Sequence, residues 1–479
     1  MDQKKLQSKL DELGEHFGTP GVAAGVLLEG KEIYAYYGVT SIENPLPVDE
    51  NTLFQSGSTG KTFTATALMR LVEQGLVELD EKVRTYVPEF KLKDEDVAQN
   101  VTVMHLLNHT AGWSGELYDD TGNGDDALER YVALMEGLPQ DFPLGLTASY
   151  NNASFSLVGR IIEKITGKTY EDAMKELIFD PLGQDHSFFH AGDVMTHRFA
   201  VGHRKDDDRT IVTRPYRDSR GMNPAGGISQ NARDLITWAR FHLGDGRSAG
   251  GDRVMKQETI DLMKQPTVSI KGSGLADHVG ICWMLHDYQG VRVVGHGGNT
   301  QGHSSAFTTV PERDFAVTVL TNCSTTGGSL KLELRRWALE QLGVVEEPDP
   351  EPVSLDDAKL ADYVGAFETH ATRLESSVKD GGLGVEITVK PESVRALFPD
   401  GKVPEQPPVT VRFLPGEGDR FVYLFPEKYE VPPQSGYFVR DESGDVVGIH
   451  LGGRLAMRVP ARRGSGGRGA PGQKVPAAR

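Results

Sequence analysis

Apolar and polar positions change period along the chain, and the changes mark out its elements. Near the start, Leu6, Leu10 and Leu13 recur at helical spacing in a polar background, which predicts an amphipathic helix. GVAAGVLL and EIYAYYGV then flank Glu29-Gly30-Lys31, the pattern of a hairpin. From Lys61 to about Gln74 the chain is rich in Ala, Leu and Met, with Gly75 placed to end a helix. VTVMHLLNHTAGW is an apolar helical stretch closed by a turn, and FSLVGRIIEKITG is an amphipathic helix ended by Gly167. Asn231 with Asp234 three residues on predicts a capped helix start before LITWARFHL. GVRVVGHGG and SAFTTVPERDFAVTVLTN are expected as successive strands, and SLKLELRRWALEQLG as a closing helix. Terminal helices around a late set of strands imply an α+β fold, an antiparallel sheet flanked by helices with an all-α lobe.

The pattern breaks at EEPDPEPVSLDD, acidic and proline-rich like a linker. Short alternating runs follow (GVEITVK, VTVRFLP, RFVYLFP, GYFVRD, VVGIHL and LAMRVP), which predict a small all-β barrel-like domain. The expected units are 1–345, a linker at 346–358, a β domain at 359–461 and a disordered basic tail at 462–479.

Composition narrows the partners. The net charge is −17, and removing the five basic groups beyond Ala461 leaves −22. That argues against nucleic acid or an anionic membrane as the main partner and leaves a small-molecule or peptide substrate. No run of 18 apolar residues occurs, so no membrane span is expected. MDQKKLQSKLDELG lacks an apolar leader core, so a cytoplasmic location is expected if this is the native start. Cys282 and Cys323 are expected as reduced packing cysteines.

Candidate chemistry concentrates at Ser58-Thr59-Gly60-Lys61, where an apolar run gives way to a helical pattern. A serine there has its hydroxyl at a helix N-terminus, where free N–H groups favour developing negative charge. A lysine three residues on shares its face and can reach it, the layout of an activated nucleophile. The tetrapeptide pattern alone is weak, because Ser376-Ser377-Val378-Lys379 repeats it within the β region. Tyr150-Asn151-Asn152, the one Tyr-x-Asn in the chain, lies in a polar turn before a helix. A tyrosine near a lysine cation is expected to have a lowered phenol pKa and to act as general base or acid. Asn152 could hold both the lysine and a substrate carbonyl, or simply cap the helix. His296-Gly297-Gly298 follows a strand, and its glycines would let substrate approach a backbone edge whose N–H completes an oxyanion hole.

In that order and context, Ser58-x-x-Lys61, Tyr150-x-Asn152 and His296-x-Gly298 resemble the serine β-lactamase-related, penicillin-recognising hydrolases, in the class C β-lactamase, D-aminopeptidase and esterase branch. GLVELDEKVRTYVPEF, HLLNHTAGW, NPAGGISQNARDL and GHGGNTQGHSS carry the resemblance across residues 5–344. It implies a β-lactamase/transpeptidase-like fold without metal or organic cofactor. It implies that Ser58 is acylated, that Lys61 and Tyr150 share the proton transfers, and that Asn152 orients substrate. The N–H groups of Ser58 and Asn299 would form the oxyanion hole. Histidine at 296, where many β-lactamases of the branch have lysine, makes a weaker anion site. It favours ester or D-amino-acid peptide hydrolysis over efficient β-lactam cleavage. A weak β-lactamase or DD-carboxypeptidase, a slowly acylating sensor without turnover, and an acyl-transferase remain alternatives. YVGAF and the strands after it resemble appended lipocalin-like domains, which implies either a loop sent into the active site or a scaffold for homo-oligomers. His303 and Ser304 could face the acyl pocket, His109 is expected to order its loop, and Trp113 and Trp283 to serve as core or cleft wall.

Overall fold

The computed structural model describes residues 1–206, 209–216, 219–346, 349–391, 407–415, 419–426 and 433–459. The predicted basic tail lies outside the described residues.

Helix α1 (Gln3–Phe17) begins at Asp2, whose carboxylate accepts from Lys5 N, and ends at left-handed Gly18. Its leucine stripe is buried, worth about 1.5–3 kcal/mol per side chain. Strands β1 (Gly21–Leu28) and β2 (Lys31–Gly38) form the expected hairpin. The buried helix α2 (Gly60–Glu73) follows, then α3 (Ala153–Thr166), closed by left-handed Gly167. The next helix used here is α4 (Ala232–Leu243), which starts on the Asn231 cap. Strands β3 (Val268–Ser269), β4 (His278–Val279), β5 (Met284–Tyr288), β6 (Val291–Asn299), β7 (Ser304–Val310) and β8 (Phe315–Thr321) precede α5 (Thr326–Glu340).

These strands make one antiparallel sheet in the order β2-β1-β8-β7-β6-β5-β4-β3. Strand β1 is apolar throughout because both faces are covered. α1 and α5 pack on one face, with Leu330 and Leu334 joining the leucine stripe. On the other face α4 comes so close that a Cβ on Gly25 would sit 2.8 Å from Ile236. The second, larger core lies there, between the sheet and a helical lobe that includes α2 and α3. α2 runs through its middle, between the sheet side and the lobe, with Phe63, Leu68 and Met69 fully enclosed.

The β region is a closed eight-stranded antiparallel barrel. Its strands are β9 (Gly365–Glu368), β10 (Thr372–Lys379), β11 (Gly382–Val389), β12 (Val409–Phe413), β13 (Arg420–Leu424), β14 (Gln434–Arg440), β15 (Val446–Leu451) and β16 (Arg454–Val459). Sequence patterning found six of them and missed β9 and β10. The interior is filled by side chains that include Phe367, Phe413, Phe421 and Phe438. The duplicate Ser-x-x-Lys pattern lies in β10. Three residues apart on a strand point to opposite faces, so Ser376 is buried on Tyr363 O at 2.6 Å while Lys379 is exposed. That geometry denies the pair the contact a helix provides.

Candidate active site

Phe54-Gln55 pairs with Ser229-Gln230, and the chain then winds through a tight turn, Gly57–Thr59, into α2. Gly57 has φ +55°, and a Cβ there would lie 2.8 Å from Asn299 N. A Cβ on Gly298 would strike Ser56 O at 1.9 Å and reach Ser58 N at 2.9 Å. The two glycines thus let β6 approach the Ser58 turn backbone to backbone.

The register of β6 fixes which backbone groups face that turn. Thr300 N bonds His303 O across the β6–β7 turn at 2.9 Å, so Asn299 opposite Ser304 is a non-hydrogen-bonded pair. Its N–H therefore points away from β7. On that side β5 pairs only as far as Gly295, leaving the Asn299 edge without a strand partner, while Gly297 O is taken by the His296 ring. Ser58 N and Asn299 N are thus brought close together, and two such N–H groups aimed at one point would be the arrangement an oxyanion requires.

Lys61 lies one helical turn after Ser58 and is wholly buried. Its ammonium donates to Ser58 Oγ at 3.0 Å, Asn152 Oδ1 at 2.9 Å and Ala225 O at 2.5 Å. All three acceptors are neutral, and burial pulls its pKa down to about 7. The Asn152 and Ala225 oxygens can only accept. When Nζ loses a proton, only the Ser58 hydroxyl among these three can turn and donate to it.

Asn151, not Asn152, caps α3 with its side chain, accepting from Ser154 N at 2.9 Å. Asn152 is thereby free for Lys61. The Ala225 carbonyl is set by a short turn, Asn223–Gly226, whose Asn223 amide donates to Glu171 at 2.7 Å. Glu171 is held in turn by buried Arg220 at 3.0 Å.

Tyr150 departs from expectation. Burial is the largest influence on its phenol and holds it well above its usual range, with the Ser58 hydroxyl pulling the other way. The hydroxyl thus feels Ser58 but lacks the alignment of a formed bond, and it is buried without another partner. The lysine ammonium lies over the ring face, 5.1 Å from its centroid, where it stabilises the ring without ionising it. His109 orders this loop as expected, accepting from Asn151 N at 3.1 Å and packing 4.6 Å from the Tyr150 ring.

His296 is neutral. Its Nδ1 lies 2.6 Å from Gly297 O, which can only accept, so Nδ1 carries the proton and Nε2 is a buried, unpartnered acceptor. Burial first, then the nearby Lys61 charge, push its pKa down to about 3.

Sequence reasoning missed several contributors. The barrel reaches the site through the β15–β16 turn. Tyr150 N donates to Gly453 O at 3.0 Å, Leu455 N to Ser149 Oγ at 3.1 Å, and His450 Nε2 to Ala148 O at 3.0 Å. Arg454 lies 5.4 Å from the Tyr150 ring and pairs with Glu116 at 2.6 Å. Glu116 accepts from the Tyr118 hydroxyl, and Tyr118 accepts from Asn152 Nδ2 at 3.4 Å. No local pattern marks these residues, because the contacts join segments some 300 positions apart. Lys331 was missed too, for it reads as one more polar position of the closing helix.

A cavity of about 300 Å3 opens beside Ser58, lined by Tyr118, Asn152, Phe189, Tyr216, Met222 and Asn299 among others. A smaller one of about 250 Å3 adjoins it through Gln55, Tyr216 and Gln301 and includes His303 in its wall. Ser304 faces away, donating to Asn299 Oδ1 at 2.6 Å. Trp113 and Trp283 are core residues, and both cysteines are buried thiols. Among the described residues, no group of three or more His, Cys, Asp or Glu side chains could hold a metal ion, and no helix is long and apolar enough to cross a membrane.

The family profile described as Beta-lactamase matches residues 6–342. Penicillin-binding protein 4 of Amycolatopsis lactamdurans is 33% identical over 379 residues, covering 77% of this chain and 98% of that one. A beta-lactamase of Yersinia enterocolitica is 30% identical over 257 residues, covering 53% of this chain and 63% of that one. The crystal structure of SurE with D-Leu is similar at a TM-score of 0.75 and 27% identity, covering 95% of this chain and 99% of that chain.

Proposed function

Because this chain belongs to the beta-lactamase family of serine hydrolases, we propose that it forms an acyl-enzyme on Ser58 and cleaves ester or amide bonds, with D-amino-acid peptides as the substrate class. The observation that carries the reading is the Lys61–Ser58 contact of 3.0 Å, made by a buried lysine whose pKa lies near neutrality. Neutral Lys61 takes the Ser58 proton as Oγ bonds the substrate carbonyl carbon. The carbonyl oxygen becomes an oxyanion between Ser58 N and Asn299 N. As the carbonyl re-forms, the leaving amine or alcohol departs with a proton delivered through Tyr150, a role that suits a phenol kept protonated. Water then attacks the ester by the reverse route. The exposed carbonyl edge of Asn299 suits an extended acyl chain running along β6.

The substrate class rests on two supports. One is likeness to SurE, whose structure holds D-Leu. The other is neutral His296, which offers no cation to a β-lactam carboxylate. A cation on the Tyr150 side of the cleft comes instead from the barrel. Arg454, tethered to Glu116 through Nε, stands beside Tyr150 and would meet a substrate carboxylate from that side. In this reading the barrel turn closes the cleft against long leaving groups.

The test is a panel of p-nitrophenyl butyrate, a D-alanine anilide, a D-amino-acid peptide ester and a chromogenic cephalosporin, with intact-mass readout. Turnover of ester or anilide that Ser58→Ala abolishes is expected. Stable acylation without turnover would replace hydrolysis by a sensor role, and normal activity of Ser58→Ala would end the assignment.

A further inference from the structure

Lys331 is a second buried lysine, and the mechanism above does not use it. It lies on the inner face of α5, on the opposite side of the sheet from the helical lobe, and is 7% exposed. Burial lowers its pKa to about 7, and no carboxylate pairs with it among the described residues. Burying a cation without a counter-ion opposes folding, so stability does not explain this residue. Its contacts are specific. Nζ donates to Gly298 O at 3.0 Å and to Asn299 Oδ1 at 3.1 Å. The same Asn299 oxygen accepts from Ser304 at 2.6 Å.

Gly298 O and Asn299 N belong to one peptide unit. In an extended strand its C=O and N–H point in opposite directions, here the carbonyl toward β7 and α5 and the N–H toward Ser58. A cation on the carbonyl draws electron density from the amide nitrogen and makes that N–H a stronger donor, because linked hydrogen bonds polarise one another. The second bond pins the Asn299 side chain on the rear face, so the peptide plane cannot rotate. We propose that Lys331 is a positioning residue that polarises and fixes the Gly298–Asn299 peptide, strengthening the oxyanion hole from behind without touching substrate.

The effect grows with charge on the substrate oxygen. Lys331 therefore stabilises the tetrahedral state more than the bound ester, and its loss falls on kcat rather than KM. The inference rests on the acyl-enzyme reading of Ser58. The experiment compares wild type, Lys331→Met, Lys331→Gln and Lys331→Arg on p-nitrophenyl butyrate. It adds inhibition by phenylboronic acid, which forms a tetrahedral adduct on the serine, and thermal melting. Lys331→Met is expected to lower kcat on the order of tenfold with KM within about twofold, since one donor is weakened rather than removed. Boronate affinity should fall by a similar factor while the melting temperature holds or rises. Lys331→Arg should recover more activity than the neutral Lys331→Gln. Unchanged kcat and boronate affinity in Lys331→Met would overturn the proposal. So would a fall in kcat accompanied by a lower melting temperature and unaltered boronate binding, which marks a structural role. The reading of Ser58 fails separately, and takes this inference with it, if wild type is not labelled at Ser58 by a fluorophosphonate.

Discussion

Lys61→Arg keeps a cation beside Ser58 but removes the capacity to become neutral, because a guanidinium is not deprotonated in proteins. At an ordinary value near 10.5 about one lysine in 3,000 would be neutral at pH 7, whereas near 7 about half are. Burial thus raises the population of the base by about a thousandfold, equivalent to about 4 kcal/mol of barrier. The substitution should cost at least that factor in acylation. The sign with pH follows from the same shift. A lysine lowered to about 7 is protonated and inactive below it, so the acylation rate should climb about tenfold per pH unit up to 6; above 7 wild type should settle somewhat below its maximum as Lys331, also lowered to about 7, loses its charge, whereas Lys331→Met should level. Tyr150, held protonated by burial, adds no limb in this range. The assay is stopped-flow acylation by a neutral ester under pseudo-first-order conditions from pH 5 to 9, with intact mass confirming the adduct. Neutral substrate keeps the profile free of its own titration. A flat profile in wild type, or the same limb surviving in Lys61→Arg, would refute lysine as base. A limb that vanishes in Tyr150→Phe but stays in Lys61→Arg would hand the role to tyrosine.

Other outcomes follow from the surroundings. Glu171→Gln strips Arg220 of its buried partner, leaving the exposed Asp125, and should destabilise the fold by up to about 3 kcal/mol in urea unfolding, with activity falling as the Ala225 carbonyl shifts. His296→Lys supplies the missing cation and should improve acylation by an anionic cephalosporin about tenfold over a neutral ester; no change in that ratio would remove His296 from the specificity argument. Asp141 accepts from His370 N of the barrel at 3.0 Å, and burial raises its pKa to about 7. A raised acid pKa gives stability that is fully present below the unfolded value of 3.8 and is lost as pH rises to about 7, so thermal stability should drop between about pH 4 and 7 and lose that drop in Asp141→Asn.

The Ser58–Lys61 contact was legible in sequence because it is local. Ser58 and Lys61 meet through one helical turn, and Gly57 just before them marks a turn that needs it. Five of the eight sheet strands and the helices with a clear hydrophobic period were likewise legible, whereas β3, β4 and β5 were not, two of them being only two residues long. Two barrel strands escaped because Gly365–Glu368 is short and Thr372–Lys379 is mostly polar on its outer face. Protonation states escaped as well. Proximity of Lys61 suggested an acidified Tyr150, but burial, which only packing determines, raises it instead and outweighs the pull of the Ser58 hydroxyl and Arg454. What sequence alone determined was the set of reacting groups and the elements that carry them. Tertiary structure decided the rest: which carbonyl receives Lys331, that Ala225 shares Lys61, and that Arg454 arrives beside Tyr150. Those pairings join positions far apart in the chain, and neither spacing nor composition encodes a contact that exists only once both cores have closed.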